Sequence, residues 1–250
     1  MVLLLSPSKT MDFNRTEWFS TATLPLFEQE AKMLMRQLQT FSLQDLIQRE
    51  HLSMKLAMTV FDWHQRFFGS DQRQKQALAA FHGTAFEQLD AATLTLEQQQ
   101  FANDHLLIFS ALYGLLRPFD LIRPYRLDMK SALLPSLYAF WQERVNDMLE
   151  QVLSQWGSPL INLASNEYAQ LIHRERIGAH HAIITPVFKQ ERRGKLVTNS
   201  LYAKQARGLM ARFIIEHQLT DAESLQSFMG QGYVFMPELS SSNEWVFVRY

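Results

Sequence analysis

Apolar and polar positions follow two patterns along this chain, short uninterrupted apolar runs and apolar residues at helical spacing. Apolar runs that end at turn residues predict buried strands, here at residues 2–6, 78–81, 106–110 and 160–163. Apolar residues at intervals of three and four predict helices, here at residues 26–39, 84–89, 96–103, 137–155, 201–217 and 221–228. Ser42 and Ser53 are candidate caps of two further helices, which run to residues 49 and 68.

Two pairs of segments predict β-hairpins. Residues 182–189 and 195–200 flank the turn sequence Glu191-Arg192-Arg193-Gly194, and residues 232–236 and 244–250 form the second pair. Strands and helices therefore interleave without a strict strand–helix–strand rhythm, which favours a mixed sheet covered by helices over a doubly wound parallel sheet. No linker, low-complexity tract or internal repeat divides the chain. We expect residues 1–250 to form one compact domain of mixed α/β (α+β) class.

The composition removes several classes of function. The 250 residues include no cysteine, which excludes disulfides, thiol catalysis and cysteine-ligated clusters within this chain. The eight histidines show no metal-binding spacing, so we predict neither a metal site nor a cofactor. Residues 1–5 are too few for a signal-peptide core, and no run approaches the roughly 20 apolar residues of a membrane helix. We expect a cytoplasmic protein with no membrane partner, and the oligomeric state stays open.

The net charge of −1 conceals two basic blocks. Residues 111–130 carry a net charge of +2 and residues 173–212 carry +7, whereas the rest of the chain is acidic. This asymmetry is typical of a face that binds anions, although solvated surface charge produces the same pattern.

A polar loop, Ser-Pro-Ser-Lys-Thr at residues 6–10, follows the first predicted strand. Ser6, Ser8 and Lys9 are candidates for holding a phosphate, because hydroxyl and ammonium groups donate hydrogen bonds to its oxygens. The loop lacks the glycines of a phosphate-binding loop. The alternative is a turn at the end of the strand, with Ser8 or Thr10 capping the next segment.

Residues 110–130 follow another predicted strand and combine charge with aromatic rings. Pro118 and Pro124 exclude a long regular helix, and Gly114 permits a tight turn between short helical pieces. Such a hairpin can present backbone amides to nucleic-acid phosphates. The candidate binding residues are Arg117, Arg123, Arg126 and Lys130, with Tyr113 and Tyr125 as stacking faces. Alternatively, Arg117 pairs with Asp120 and Arg126 with Asp128 as internal supports.

Polar residues also follow the strand predicted at residues 160–163. Asn162, Ser165, Glu167 and Tyr168 lie at its carboxyl end, where α/β layers commonly bind ligands. Glu167 is a candidate base or cation ligand. Alternatively, it stabilises the first turn of a helix that Ser165 or Asn166 caps.

The predicted helix at residues 201–217 presents Lys204, Arg207 and Gly208 on one face. These cations suit phosphate groups, and Tyr202 joins them as a candidate pocket residue. A glycine inside a helix costs roughly 1 kcal/mol relative to alanine, so Gly208 indicates close packing or the approach of a ligand.

Five ordered motifs resemble the YaaA family of bacterial peroxide-stress proteins. They are Ser6-Pro-Ser-Lys-Thr-Met11, Leu112-Tyr-Gly-Leu-Leu-Arg-Pro118, Pro124-Tyr-Arg-Leu-Asp-Met129, Asn162-Leu-Ala-Ser-Asn-Glu-Tyr168 and Tyr202-Ala-Lys-Gln-Ala-Arg-Gly-Leu-Met-Ala-Arg-Phe213. The resemblance extends from Met1 to the closing Val246-Phe-Val-Arg-Tyr250.

The resemblance implies survival of hydrogen peroxide through a lower level of unincorporated intracellular iron, which limits oxidative damage to DNA and proteins. It also implies a single α/β domain with a helix-hairpin-helix-like element and a positive cleft that binds duplex or bulged DNA without base specificity. Carried onto this chain, the hairpin lies at residues 113–120, and the cleft includes Lys9, Arg117, Arg126, Lys204 and Arg207.

Two functions therefore compete. The first is a protective protein that binds DNA without sequence specificity. The second is an enzyme that acts on a small phosphate-bearing or nucleotide ligand, in a pocket built from residues such as Lys9, Asn162, Glu167 and Lys204. Convergence of these residues in a closed pocket favours the second function, and a long open basic groove favours the first. Direct iron sequestration fits least, because the sequence has no clustered histidine–carboxylate set.

Overall fold

Short strands and helices alternate along the described part of the chain. The computed structural model describes residues 1–14 and 19–250. The strands are β1 Val2–Leu5, β2 Lys75–Gln76, β3 Leu106–Ser110, β4 Gly114–Leu116, β5 Leu121–Ile122, β6 Leu160–Leu163, β7 Ile183–Arg192, β8 Lys195–Val197, β9 Val234–Phe235 and β10 Glu244–Arg249. The helices are α1 Glu28–Leu38, α2 Leu43–Arg49, α3 Met54–Gln65, α4 Ala77–Ala80, α5 Thr84–Leu89, α6 Leu96–His105, α7 Leu137–Trp156, α8 Asn166–Ala169, α9 Arg174–Gly178 and α10 Ser200–Glu216.

Eight of the strands form one mixed sheet in the order β4-β3-β1-β6-β7-β10-β9, with β8 paired to β7. The five central strands, from β3 to β10, run parallel, whereas β4, β8 and β9 pair antiparallel to their neighbours. Strands β1, β3, β4 and β6 are buried along their whole length, so both faces of the sheet are covered. The expected mixed sheet covered by helices is therefore confirmed.

The strand order reverses between β1 and β6. From β1 the chain passes to β3 on one side, whereas from β6 it passes to β7 on the other side. The two strands are paired in parallel up to Leu5 and Leu163, so their carboxyl ends meet at one edge of the sheet. In open α/β sheets, a reversal of this kind leaves a crevice beyond the carboxyl ends of the strands, where ligands bind.

Most of the predicted elements are present. The strands predicted at residues 2–6, 106–110 and 160–163 correspond to β1, β3 and β6, and both predicted hairpins pair antiparallel as β7–β8 and β9–β10. Ser42 forms a capping box at α2, and the Ser53 hydroxyl accepts from the backbone of Leu56 at the start of α3. The helix predicted at residues 221–228 is a 3₁₀ turn at Glu223–Ser227.

Two predictions of local structure were wrong. Residues 77–80 form helix α4 rather than a strand, because a four-residue apolar run does not distinguish the two states and its alanines favour helix. The helical hairpin expected at residues 113–120 is also absent there, since this segment contains strand β4. Gly114, at φ +70°, turns the chain back against β3, and a Cβ on it would lie 2.6 Å from the Trp141 ring.

Helix α10 lies directly against α5. At Gly208, a Cβ would lie 2.0 Å from the carbonyl oxygen of Ala85, so α10 can approach this closely only where the side chain is hydrogen. The contact holds the middle of α10 against the first turn of α5. Within the described residues, no helix is both long and apolar enough to span a bilayer.

We predict that Gly208→Ala destabilises the fold. Although alanine is the better helix former, its methyl group would collide with the backbone of Ala85, and overpacking of this kind costs about 1–3 kcal/mol. Urea unfolding measures the loss. Gly178→Ala in α9 is the matched control, because nothing lies within 4 Å of its Cβ position. Equal stability of the two variants would contradict the close approach.

Candidate ligand-binding pocket

A pocket of about 340 Å³ lies at the carboxyl ends of β1 and β6. It is lined by residues 5–10, residues 83–86, residues 125–128, Leu163, Ser165, Glu167, Tyr168, Lys204 and Arg207. Four of these residues are cationic and two are anionic. We call this site the cationic pocket. It occupies the crevice that the reversal of strand order creates.

Two serines join the ends of β1 and β6. The Ser6 hydroxyl accepts from the backbone N–H of Ser165 at 2.8 Å and donates to the Ser165 hydroxyl at 3.1 Å. Asn162 lies buried beneath them, where its side-chain oxygen accepts from the backbone N–H of Ala164. Asn162 therefore shapes the turn after β6, whereas Ser6 and Ser165 line the pocket.

The loop after β1 is tied to the segment before α5. The Ser8 hydroxyl donates to the carbonyl of His82 at 2.7 Å and accepts from the backbone N–H of Thr10 at 3.1 Å. A Cβ at Gly83 would lie 2.4 Å from the Ser8 hydroxyl oxygen, so the two segments touch. Ser8 thus makes the local turn that was the alternative to ligand binding, and it also lines the pocket.

Lys9 and Asp128 form an ion pair across the pocket, with 2.6 Å between the ammonium and a carboxylate oxygen. Arg126 donates to the carbonyl of Lys9 at 3.4 Å. The internal pair expected between Arg126 and Asp128 is therefore replaced by a contact between two distant segments. The backbone N–H of Arg126 donates to the imidazole of His64, whose pKa burial lowers to about 4, so this ring is a neutral acceptor at pH 7.

Lys204 and Arg207 occupy the wall that α10 provides. In the part of the chain that the structure describes, neither side chain has a hydrogen bond or an ion pair. Arg207 is half-buried, and desolvation by burial lowers the pKa of its guanidinium group. A guanidinium group partly removed from water without a counter-charge is unfavourable, so Arg207 lacks charge compensation on this wall, beside the exposed side chain of Lys204.

Glu167 and Tyr168 lie on the wall that α8 provides. The Glu167 carboxylate is half-buried and has no partner among residues 1–14 and 19–250, while its backbone carbonyl accepts from the Tyr138 hydroxyl at 3.0 Å. Burial raises the pKa of Tyr168 well above its ordinary value, so its hydroxyl is a neutral donor at pH 7. The wall therefore offers a carboxylate acceptor beside a hydroxyl donor.

Several predicted binding residues lie outside the pocket. Tyr113 is 3% exposed, and its hydroxyl accepts from the backbone N–H of Arg123. Arg123 itself donates to the carbonyl of Gly69 and lies over the ring of Phe67. Gly114 is buried in the turn after β3. These residues therefore stabilise the packed interior and its border and do not line the pocket.

Arg117 and Tyr202 also have partners elsewhere. Arg117 forms an ion pair with the fully buried Asp120 at 3.2 Å, which is the internal support that the sequence offered as an alternative. The ring of Tyr202 lies 3.7 Å from the guanidinium carbon of Arg249. Tyr125 lines the pocket, but its hydroxyl is bound to the Ser110 hydroxyl at 2.7 Å.

The structure thus brings together Ser6, Ser8, Lys9, Tyr125, Arg126, Ser165, Glu167, Tyr168, Lys204 and Arg207. Sequence reasoning missed the segment at residues 83–86, where Gly83 reads as an ordinary turn residue. It also missed the pairing of Lys9 with Asp128, for which the sequence had offered Arg126 as an alternative partner. The glycine in α10 was the available signal for the first omission, because Gly208 requires another segment close by.

The fold and the pocket define a single-domain α/β protein with a cationic site at a reversal of strand order. Residues 1–239 match the family model described as peroxide stress protein YaaA. The chain therefore belongs to this family, which supports a role in peroxide stress.

Curated relatives match over the full length. A UPF0246 protein of Neisseria gonorrhoeae is 39% identical, with 100% of this chain and 98% of the relative aligned. UPF0246 proteins of Ralstonia nicotianae and Dechloromonas aromatica are 39% and 36% identical, with 100% of this chain and 99% of each relative aligned.

We predict that replacing Arg117 and replacing Arg207 affect the stability of the fold differently. Arg117→Gln leaves the buried Asp120 carboxylate without its cation and should lower the free energy of unfolding by roughly 2–3 kcal/mol. Arg207→Gln should leave stability unchanged or slightly higher, because it removes an unpaired, partly desolvated charge. Urea unfolding at pH 7 compares the two. Equal losses would show that Arg207 has a structural partner.

Proposed function

We propose that this protein acts in peroxide stress by binding a phosphate-bearing small molecule in the cationic pocket. The observation that carries the proposal is the pair Lys204 and Arg207, two cations on one wall of a ligand-sized pocket without a counter-charge in the described chain. A phosphate group supplies the missing charge and accepts several hydrogen bonds from these donors.

The shape of the site supports a small ligand over a long polymer. Its volume of about 340 Å³ lies at the lower end of the range for small-molecule pockets, roughly 300–1,000 Å³. Arg117 and Arg123, which an extended groove through residues 110–130 would need, are bound to internal partners. Of that segment's four cations, Arg126 is the one that lines the pocket.

The residues around the proposed phosphate site support chemistry on the ligand. Glu167 is an acceptor suited to general-base work, and Tyr168 is a neutral donor suited to a developing negative charge. The protein is in this view an enzyme whose substrate carries phosphate, which is the second function that the sequence suggested.

Binding of phosphate compounds tests the proposal. We expect inorganic phosphate and nucleoside monophosphates to raise the melting temperature of the full chain, since a ligand that binds the folded state alone stabilises it. The double variant Lys204→Gln/Arg207→Gln should weaken binding about tenfold or more, because two charge-assisted contacts are lost.

The matched control is Lys55→Gln, which removes an exposed cation of helix α3 outside the pocket. It should bind like the unmodified chain. No binding of any phosphate compound, or equal binding by the double variant, would contradict the proposal.

A second candidate function is the binding of DNA without base specificity, which the family resemblance implies. The β7–β8 hairpin favours it. Arg192, Arg193 and Lys195 are exposed there and have no carboxylate partner in the described part of the chain. Arg193 and Gly194 both have positive φ, as in the type I′ turns that commonly connect the strands of a two-residue β-hairpin. The hairpin precedes α10, the helix that carries Lys204 and Arg207.

The fall in unincorporated iron that the resemblance implies is, in this proposal, an indirect effect. Among residues 1–14 and 19–250, no three histidine or carboxylate side chains are grouped so as to hold a metal ion. A product of the pocket, or protection of DNA, would then act on iron through other proteins.

A salt series tests the DNA proposal. The logarithm of affinity for duplex DNA should fall linearly with the logarithm of salt concentration, with a slope that grows by about 0.9 per phosphate contact. Arg192→Gln/Arg193→Gln/Lys195→Gln should reduce the slope by about 2–3. Lys55→Gln, an exposed cation of α3, should leave it unchanged. A slope that is indifferent to the hairpin charges would contradict this candidate.

A further inference from the structure

The carboxylate of Glu167 lacks donors just as Lys204 and Arg207 lack a counter-charge. It is half-buried, it lines the cationic pocket, and none of the described cations lies within ion-pair distance of it. An ionised carboxylate has about four lone-pair positions for hydrogen bonds. A partly buried carboxylate with no protein donor is costly unless a ligand or water supplies the donors.

We propose that the ligand of the cationic pocket carries a vicinal diol as well as a phosphate, as a ribonucleotide does, and that Glu167 recognises the diol. This inference rests on the proposed binding of phosphate by Lys204 and Arg207. The inference adds the chemical class of the ligand, a diol-bearing phosphate, and names Glu167 as the residue that distinguishes it from ligands without the diol.

The charge of the pocket favours hydroxyl donors over a cationic donor. Two kinds of ligand group can satisfy a carboxylate, neutral hydroxyls and a positively charged amine. The pocket already contains four cations against two carboxylates, and Asp128 is occupied by Lys9. A ligand amine would therefore meet net repulsion, whereas a diol donates two hydrogen bonds without adding charge.

The cations and the Glu167 carboxylate lie on different walls of the pocket, as a ligand with a phosphate at one end and a diol at the other would require. Lys204 and Arg207 belong to α10, and Glu167 belongs to α8 at the end of β6. In a ribonucleoside 5′-phosphate, the phosphate and the 2′,3′-diol also lie at different ends of the sugar. An acidic residue beyond the carboxyl end of a parallel strand is a recurrent partner of ribose hydroxyls in α/β folds.

Apolar surface is available for the rest of such a ligand. Leu5, Phe86, Leu127 and Leu163 line the pocket together with the ring of Tyr125. Ligand pockets combine such apolar walls with a few convergent polar groups that fix orientation. A planar base can lie on these side chains while the sugar and phosphate engage the polar walls.

Sugar phosphates that differ by one hydroxyl test the inference without assuming a base. Calorimetric titration of the full chain with inorganic phosphate, ribose 5-phosphate and 2-deoxyribose 5-phosphate should give measurable binding of all three. We expect ribose 5-phosphate to bind about tenfold or more tightly than its deoxy analogue, because the analogue leaves a hydrogen-bond position of the carboxylate empty. The pair of adenosine and deoxyadenosine 5′-monophosphates should show the same preference.

Glu167→Gln identifies the residue responsible. It should reduce the ribose preference to within about threefold and leave the affinity for inorganic phosphate unchanged or higher, since a negative charge is lost. Glu167→Ala is a second variant with the same expectation. Glu175→Gln, an exposed glutamate of α9, is the control and should retain the full preference.

The outcomes distinguish recognition of the diol by Glu167 from binding of phosphate by Lys204 and Arg207. Failure of inorganic phosphate to bind would overturn both. Binding of phosphate that depends on Lys204 and Arg207, with equal affinity for the ribose and deoxyribose compounds, would overturn the diol alone. A ribose preference that survives in both Glu167 variants would overturn the role of Glu167.

Discussion

The parallel pairing of β1 with β6 is the constraint on which the rest of the structure depends. It aligns Leu5 with Leu163, so the loop at residues 6–10 and the turn before α8 begin at the same level of the sheet. The hydrogen bonds between Ser6 and Ser165 then fix the two loops to each other. Because the chain leaves these strands toward opposite sides, a crevice lies beyond their carboxyl ends.

Close packing converts this crevice into a charged pocket. Gly208 lets α10 approach Ala85, which sets Lys204 and Arg207 on one wall, while the ion pair of Lys9 with Asp128 joins two further walls. Some other cations of the block at residues 173–212 form ion pairs with carboxylates. Arg176, for example, contacts Glu143, Asp147 and Glu150. Within this block, Lys204 and Arg207 on the pocket wall, and Arg192, Arg193 and Lys195 in the β7–β8 hairpin, have no carboxylate partner among the described residues.

Periodicity predicted much of the fold because most of its elements are locally encoded. Buried runs such as Leu160–Leu163 and caps such as Ser42 depend on few residues, and they appear as predicted. The segment after Gly114 was wrongly predicted as helical, because it pairs with β3 and Gly114 packs against Trp141, which is distant in sequence. The partners of Asp128 and Arg117 illustrate the same limit. Asp120 pairs with the nearby Arg117, whereas Asp128 pairs with Lys9, which is distant in sequence. The fold brings Lys9 to Asp128, and the local sequence does not show this.

In the proposed function, Lys204 and Arg207 bind an anion from outside the chain. A crystal structure of the protein grown with inorganic phosphate would show whether they do. We expect a phosphate within about 2.7–3.2 Å of the Lys204 ammonium and the Arg207 guanidinium. A structure in which both side chains instead pair with carboxylates of their own chain, with phosphate bound elsewhere or absent, would contradict this proposal.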